Sequence, residues 1–236
     1  MRVAVIIPAH DEAAILEGNA KRVSWWGRET FGDGFTLVLS ENGSNDSTAW
    51  VARLMEKVLP DTLAVSSRAP GKGGAVKRGA AAVEADVYLM MDADLSADFA
   101  SAEALVAAVA SGADAAVGSR RLPDSVVDRP PVRRLATAAY AAAARAALGL
   151  RTRDLQCGCK AFSRRVRDVI LPSVKDDGFF FDTEFLARLA RAGMRVEEMP
   201  VRWSDRAAPD RASKVKIVRT GLDFLRKLAA LRKDLG

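Results

Sequence analysis

Histidine and cysteine are nearly missing: one histidine, His10, and two cysteines, Cys157 and Cys159, stand among 236 residues. A disulfide framework needs more cysteines, and a Cys/His zinc site needs more ligands than these. The two cysteines therefore read as small buried residues. No Ser-His-Asp set and no paired general acid and base stand out. No stretch reaches the roughly 18 apolar residues of a membrane span. The start, MRVAVIIPAHDE, lacks the layout of a signal peptide, because its short apolar run leads straight into acids. The expectation is a cytoplasmic protein, at most peripheral on the cytoplasmic face of a membrane. Strong charge imbalance is absent too: 36 Lys+Arg stand against 30 Asp+Glu, a net +6. That mild excess suits a polyanionic partner without choosing one. Hydrophobic residues make up 49% of the chain, enough for a real core, which excludes global disorder.

What is present is an alternation of short β-branched runs and alanine-rich helical segments. Strands are expected at Val3–Ile7, Phe35–Leu39, Thr62–Ser66, Val87–Met91 and Ala113–Gly118. Helices are expected at Ala13–Val23, Ser47–Val58 (capped by Asp46 or Ser44), Gly74–Glu84 and Ala102–Ala110. Strands that are apolar throughout, each followed by a helix, imply an α/β domain with a mostly parallel sheet covered on both faces. After Arg120 the pattern changes. A proline-bearing loop spans Leu122–Pro131, followed by a helix at Val132–Leu148 and a strand at Cys157–Ser163. A helix at Glu184–Ala192, a strand at Val196–Val201, a charged loop at Ser204–Ser213 and a final helix at Lys214–Leu235 complete the chain. The reading is one domain over 1–213, with a first half ending near 120, a second half over 121–213, and a basic amphipathic helix over 214–236.

Ligands of open parallel sheets bind outside the carboxyl ends of the strands. Here those ends carry Pro8-Ala9-His10-Asp11-Glu12, then Ser40-Glu41-Asn42-Gly43-Ser44-Asn45-Asp46, then Asp92-Ala93-Asp94. Acidic clusters meeting on one rim repel unless a cation neutralises them, which points to a divalent metal. Asp92 and Asp94 leave a buried strand abruptly and could ligate Mg²⁺ or Mn²⁺ beside a diphosphate. The competing reading is a capping loop in which Asp94 or Ser96 caps the next helix. Gly71-Lys72-Gly73-Gly74 opens a helix, so its backbone N–H groups and Lys72 could hold an anion. No Gly-Lys-Ser/Thr closes that turn, and no G-x-G-x-x-G follows the first strand, which argues against a Walker A and a Rossmann dehydrogenase.

In order and spacing, VAVIIPAHDE, SENGSNDST, GKGGAVKRGA, DVYLMMDADLS and GSRR resemble the GT-A glycosyltransferases of family 2. The second half, with DLQCGCKAF, GFFFDTEFLARLARAG, VEEMPVRW and Ser213-Lys214, looks like the polyprenyl- and dolichyl-phosphate glucosyltransferase and mannose synthase branch. The resemblance spans roughly residues 2–216. It implies a GT-A, Rossmann-like nucleotide-diphospho-sugar transferase fold. Pro8, His10, Glu12, Ser40 and Asn42 would then line the nucleotide pocket. Asp92, Ala93 and Asp94 would meet donor diphosphate and metal, with Ser96 a further ligand. Arg120 and Arg134 would face an acceptor phosphate, and Lys214 with Arg206 or Arg211 would close over the donor. Glu184 would orient the sugar or cap its own helix. Glu41-Asn42-Gly43-Ser44 departs from the Asp-Asp-Gly-Ser usual in the family, which leaves UDP and GDP both open.

The implied reaction is metal-dependent, inverting transfer of a hexose from a nucleotide sugar to a polyprenyl phosphate, with no nucleic acid involved. A lipid phosphate is already anionic, so it needs no strong base. A soluble transferase acting on a small hydroxylated acceptor is the alternative. A non-catalytic nucleotide-sugar binder at the membrane is the alternative from another class. The final helix gathers Val215, Val218, Leu222, Leu225, Leu228 and Leu235 on one face, which could rest on a membrane, on its own domain or on a second copy in a homodimer. Trp25-Trp26 reads as buried packing or, alternatively, as an interfacial anchor.

Overall fold

The computed structural model describes residues 1–205 and 217–235. Seven strands form one sheet: β1 (Val3–Ala9), β2 (Phe35–Asn42), β3 (Thr62–Ser67), β4 (Val87–Met90), β5 (Ala115–Ser119), β7 (Lys160–Ser163) and β8 (Val196–Pro200), in spatial order β3-β2-β1-β4-β7-β5-β8. Within it, β7 runs antiparallel to both of its neighbours, and the other pairings are parallel. A short β6 (Val126–Asp128) pairs with β9 (Arg202–Ser204), so the expected loop after Arg120 carries a strand.

Alternation along β1 explains the unbroken apolar run. Val3, Val5, Ile7 and Ala9 face one core with α1 (Ala13–Phe31), α2 (Thr48–Val58) and α4 (Phe99–Ala110). Ala4 and Ile6 face the other, with α3 (Lys72–Ala81), α6 (Arg164–Val169), α7 (Phe181–Arg191) and α8 (Ile217–Leu235). A strand covered on both sides gains nothing from polar residues at alternate positions. Neither Asp94 nor Ser96 caps α4. Asp98 does, its carboxylate accepting the Ser101 amide at 2.9 Å. Asp46 accepts the Thr48 amide at 2.9 Å at the start of α2. Helix α5 (Pro131–Leu148) opens on a proline, where a missing amide costs nothing.

Helix α8 lies on its own domain. Phe224, Leu228 and Leu231 are buried, and the Phe224 ring meets Phe180 at 5.5 Å and Tyr140 at 5.1 Å between centroids. Lys227 pairs with Asp176 at 2.7 Å and Asp234 with Arg188 at 2.7 Å. The expected apolar face is thus rotated, since Leu225 points outward at 51% exposure. Val215 and the side chains of Val218 and Leu222 lie outside the described residues. The tryptophans divide as well: Trp26 is buried and stacked on Phe99 at 4.6 Å, while Trp25 is 70% exposed.

Candidate functional site

The carboxyl ends of β1, β2 and β4 meet around a cavity of about 580 Å³ lined by Pro8, His10, Asp11, Glu12, Asn42, Lys72, Asp92, Ala93 and Asp94, with Phe179 at its mouth. Most of the expected donor residues are therefore brought together. The His10 ring nitrogen Nδ1 lies 2.8 Å from the Asn42 carbonyl. Asn42 braces the walls, donating to the Ala9 carbonyl and accepting the Gly71 amide, both at 2.8 Å. Asp11 (φ 51°), which lines the cavity, and Leu95 (φ 52°), next to Asp94, adopt left-handed backbone, a conformation a leucine holds only where the surroundings impose it.

Asp92 sits where the sequence suggests, and its setting explains the glycine after Cys157. A Cβ on Gly158 would overlap the Asp92 carboxylate. The Lys72 ammonium lies 3.0 Å from Asp92 Oδ1 and 3.3 Å from Asp182 Oδ2. Burial works against that ammonium, but the Asp182 and Asp92 charges outweigh it and raise its pKa. Asp94 is raised in turn by burial and by the Asp92 charge, against hydrogen bonds from Ser96. A pair of carboxylates whose joint ionisation is disfavoured, offering only oxygen, fits Mg²⁺ or Mn²⁺. No larger ligand cluster forms among the described residues, so diphosphate and water would fill the other positions.

Four expectations need correction. Ser40 is fully buried and donates to the Ala75 carbonyl at 2.8 Å, so it holds β2 to α3 instead of lining the cavity. Ser96 faces a separate cavity beside Arg22 and Trp203, and its amide donates to Asp94 Oδ1 at 3.0 Å; it acts through Asp94. Glu184 neither reaches the cavity nor caps its own helix. Its carboxylate accepts the Lys175 and Asp176 amides at 3.0 and 2.8 Å and pairs with Arg188 at 2.6 Å, fixing the loop before α7. The glycine-rich turn is no anion cradle, because the Gly73 and Gly74 amides donate to the Gly178 and Asp177 carbonyls. Gly71, at φ +151°, is required there, as a Cβ would overlap the Asp177 carbonyl oxygen.

A second cavity of about 490 Å³ lies beyond the end of β5, lined by Arg120, Arg121, Arg129 and Asp154 with Val127, Leu135 and Ala138. Arg120 is present as expected, but its fork is engaged. Nε and Nη2 donate to the two Asp154 oxygens at 2.7 and 2.8 Å, and the guanidinium lies 4.7 Å from the Trp203 ring centroid. Burial opposes ionisation of Asp154, yet the Arg120 hydrogen bonds and charge win and hold its pKa at about 2. Arg121 and Arg129 are both lowered, chiefly by burial, with the Arg120 charge adding to the effect. Arg129 is partly compensated by Asp205 at 3.0 Å. An anion entering here would meet three guanidinium groups that outnumber their two carboxylate partners, Asp154 and Asp205. Arg206, Arg211 and Lys214 lie outside the described residues, as does the side chain of Arg134 on α5.

Sequence reasoning missed Lys160, Asp182, Asp154, Arg121 and Arg129. Lys160 had a readable signal, a lysine within an otherwise apolar strand. Arg121 stands beside Arg120 in the GSRR motif, and Asp154, Asp182 and Arg129 show only through pairings far apart in the chain.

The model of the family Glycosyl transferase family 2 matches residues 4–171. The chain belongs to that family. It is a glycosyltransferase with the GT-A fold, and the reading as a non-catalytic binder falls. It is 40% identical to Glycosyltransferase AglD of Haloferax volcanii over 93% of its length, but spans only 35% of AglD. It is 30% identical to the polyprenol monophosphomannose synthase of Mycolicibacterium smegmatis, covering 87% of this chain and 78% of that protein. Among solved structures, glucosyl-3-phosphoglycerate synthase from Mycobacterium tuberculosis, in complex with Mn²⁺, UDP-glucose and phosphoglyceric acid, superposes with a TM-score of 0.68 at 20% identity, covering 98% of this chain and 80% of that one. At that identity the likeness concerns the fold. No helix among the described residues is long and apolar enough to cross a membrane.

Proposed function

We propose that this glycosyltransferase moves a hexose from a UDP- or GDP-sugar to a polyprenyl phosphate, inverting the anomeric centre. The observation that carries the reading is the second cavity. It combines the guanidinium groups of Arg121 and Arg129 with an apolar wall of Val127, Leu135 and Ala138, matching a phosphate ester with a hydrocarbon tail. The name of the Mycolicibacterium relative supports the same acceptor class. Donor binding falls to Pro8, His10, Glu12, Asn42, Lys72, Asp92, Ala93 and Asp94, and acceptor binding to Arg121 and Arg129. Arg120 shapes the acceptor cavity through Asp154 and Trp203. Arg134, at the first turn of α5, remains assigned to the acceptor phosphate, and Arg206, Arg211 and Lys214 to closure over the donor. The residues that line the donor cavity come mainly from the first half, 1–120, with Gly178 and Phe179 reaching in from the second, 121–213, while Arg120, Arg206 and Arg211 serve across that boundary.

In this reaction an acceptor phosphate oxygen attacks the anomeric carbon as the bond to the nucleoside diphosphate breaks. The nucleophile carries its charge already, so the chain need only align it and keep it dry. Mg²⁺ or Mn²⁺ held by Asp92 and Asp94 would supply charge neutralisation of the departing diphosphate. Lys72 adds a fixed positive charge on the same side. The test is incubation with labelled UDP-glucose or GDP-mannose, Mn²⁺ and a short polyprenyl phosphate. Label partitioning into the organic phase is the expected result. Label confined to water-soluble products would favour the small hydroxylated acceptor instead.

A further inference from the structure

Beneath the donor cavity lies a chain of alternating charges of which the reaction as described uses only the outer two members, Lys72 and Asp92. Lys160, on β7, is 1% exposed, and its ammonium lies 2.7 Å from Asp182 Oδ1 while also donating to the Cys157 carbonyl. Asp182, equally buried on the first turn of α7, turns its other oxygen to Lys72 at 3.3 Å. Lys72 in turn reaches Asp92 at 3.0 Å. The order is thus plus, minus, plus, minus, running from the sheet interior to the cavity wall. Taking such charges out of water is costly, and an apolar pair of equal volume would serve the core as well or better. The arrangement is explained if its purpose is directional.

A lysine on four flexible carbons is a poorly aimed cation unless something fixes its head. Lys72 stands at the first position of α3, where its backbone alone sets no direction for the ammonium. Asp182 supplies that direction, and Lys160 holds Asp182 ionised and in place; burial opposes its charge, but the Lys160 and Lys72 charges keep its pKa lowered. We propose that Asp182 and Lys160 are positioning residues for donor binding: they hold the Lys72 ammonium over Asp92, where it neutralises that carboxylate before the donor arrives and meets the donor's diphosphate once it enters. This rests on the donor cavity proposed above and adds two residues that touch no substrate.

Nucleoside diphosphate binding to the full chain, measured by calorimetry with and without Mn²⁺, tests the idea. Lys72→Met should weaken UDP or GDP binding roughly 10-fold or more, the scale of one lost charge-assisted contact. Asp182→Asn should do nearly the same, and Asp182→Asn with Lys72→Met should be no worse than Lys72→Met alone. Asp182→Asn leaves the buried Lys160 without its carboxylate and can compromise folding, so Asp182→Asn with Lys160→Met is the second variant. It removes a neutral pair, should keep the parent's Tm within a few degrees, and should still lose most of that affinity. If this folded double variant binds the nucleotide within twofold of the parent, or if the Asp182 and Lys72 effects multiply independently, the proposal is wrong. If the parent itself binds neither UDP nor GDP with or without Mn²⁺, the donor cavity assignment fails first, and the positioning role fails with it.

Discussion

The two cavities are built on opposite plans. The donor cavity is acidic, and its main residues come from segments that leave strands at consecutive carboxyl ends: residues 8–12, 42 and 92–94. The second is basic, and its residues come from one stretch between β5 and the start of β7 that winds around a short two-stranded ribbon. In the first, like charges are crowded and call for a cation. In the second, three guanidinium groups outnumber their carboxylate partners, Asp154 and Asp205, and suit an anion. The antiparallel β7 joins them, because reversing its direction brings the residues before it, Asp154 to Cys159, to the same rim as the ends of the parallel strands. On the proposed function, the donor's diphosphate and the acceptor's phosphate would have separate, oppositely charged seats.

The strongest way to break this contrast is to empty the acidic side. Asp92→Ala and Asp94→Ala should each reduce Mn²⁺-dependent nucleoside diphosphate affinity by roughly 10³-fold, as loss of several kcal/mol at a metal requires. Far-UV circular dichroism should be unchanged, and unchanged affinity by calorimetry in both variants would remove the metal assignment.

On the basic side, the division of labour among arginines can be separated by stability. Asp154→Asn leaves Arg120 buried with its fork unanswered and should cost about 3–5 kcal/mol in urea unfolding. Arg120→Ala leaves Asp154 only the backbone amides of residues 120 and 156 and should cost somewhat less. Arg121→Ala should leave stability nearly unchanged while lowering kcat/KM for polyprenyl phosphate by about 10- to 100-fold, with donor Kd within twofold. Equal kinetic loss in Arg120→Ala and Arg121→Ala, without destabilisation of either, would reverse those roles.

Acid sharpens the same distinction. The Asp154 pKa is depressed in the folded chain to about 2, so its contribution is fully present above the unfolded value near 3.8 and is lost as pH falls toward 2. The stability gap between the parent and Asp154→Asn should therefore shrink by about 2 kcal/mol between pH 5 and pH 2. A gap constant over that range would show that Arg120 does not hold Asp154 ionised. The smallest effect belongs to Glu184→Gln. It should cost about 1–2 kcal/mol through the Lys175 and Asp176 amides and leave kcat/KM for the acceptor within twofold.

Where residues act through local order, the sequence already contained the answer. The unbroken apolar runs determined a sheet buried on both faces, and the abrupt Asp92 and Asp94 after one such run determined where an acidic site stands. A turn rich in glycine, by contrast, reads equally as an anion cradle or as a packing surface. Only the loop holding Asp177 and Gly178, more than 100 positions along the chain from Gly73, decided in favour of packing. The same is true of Ser40 and Glu184, polar residues in the right motifs that bond to Ala75 and to the Lys175 and Asp176 amides, which those motifs do not contain. It is true of Arg120, whose fork is claimed by Asp154, 34 positions away. Periodicity and strand ends are properties of a contiguous stretch, so sequence alone determines them. Which partner satisfies a buried charge depends on what folding brings within 3 Å, and for Lys72, Asp182 and Lys160 the tertiary structure alone decided it.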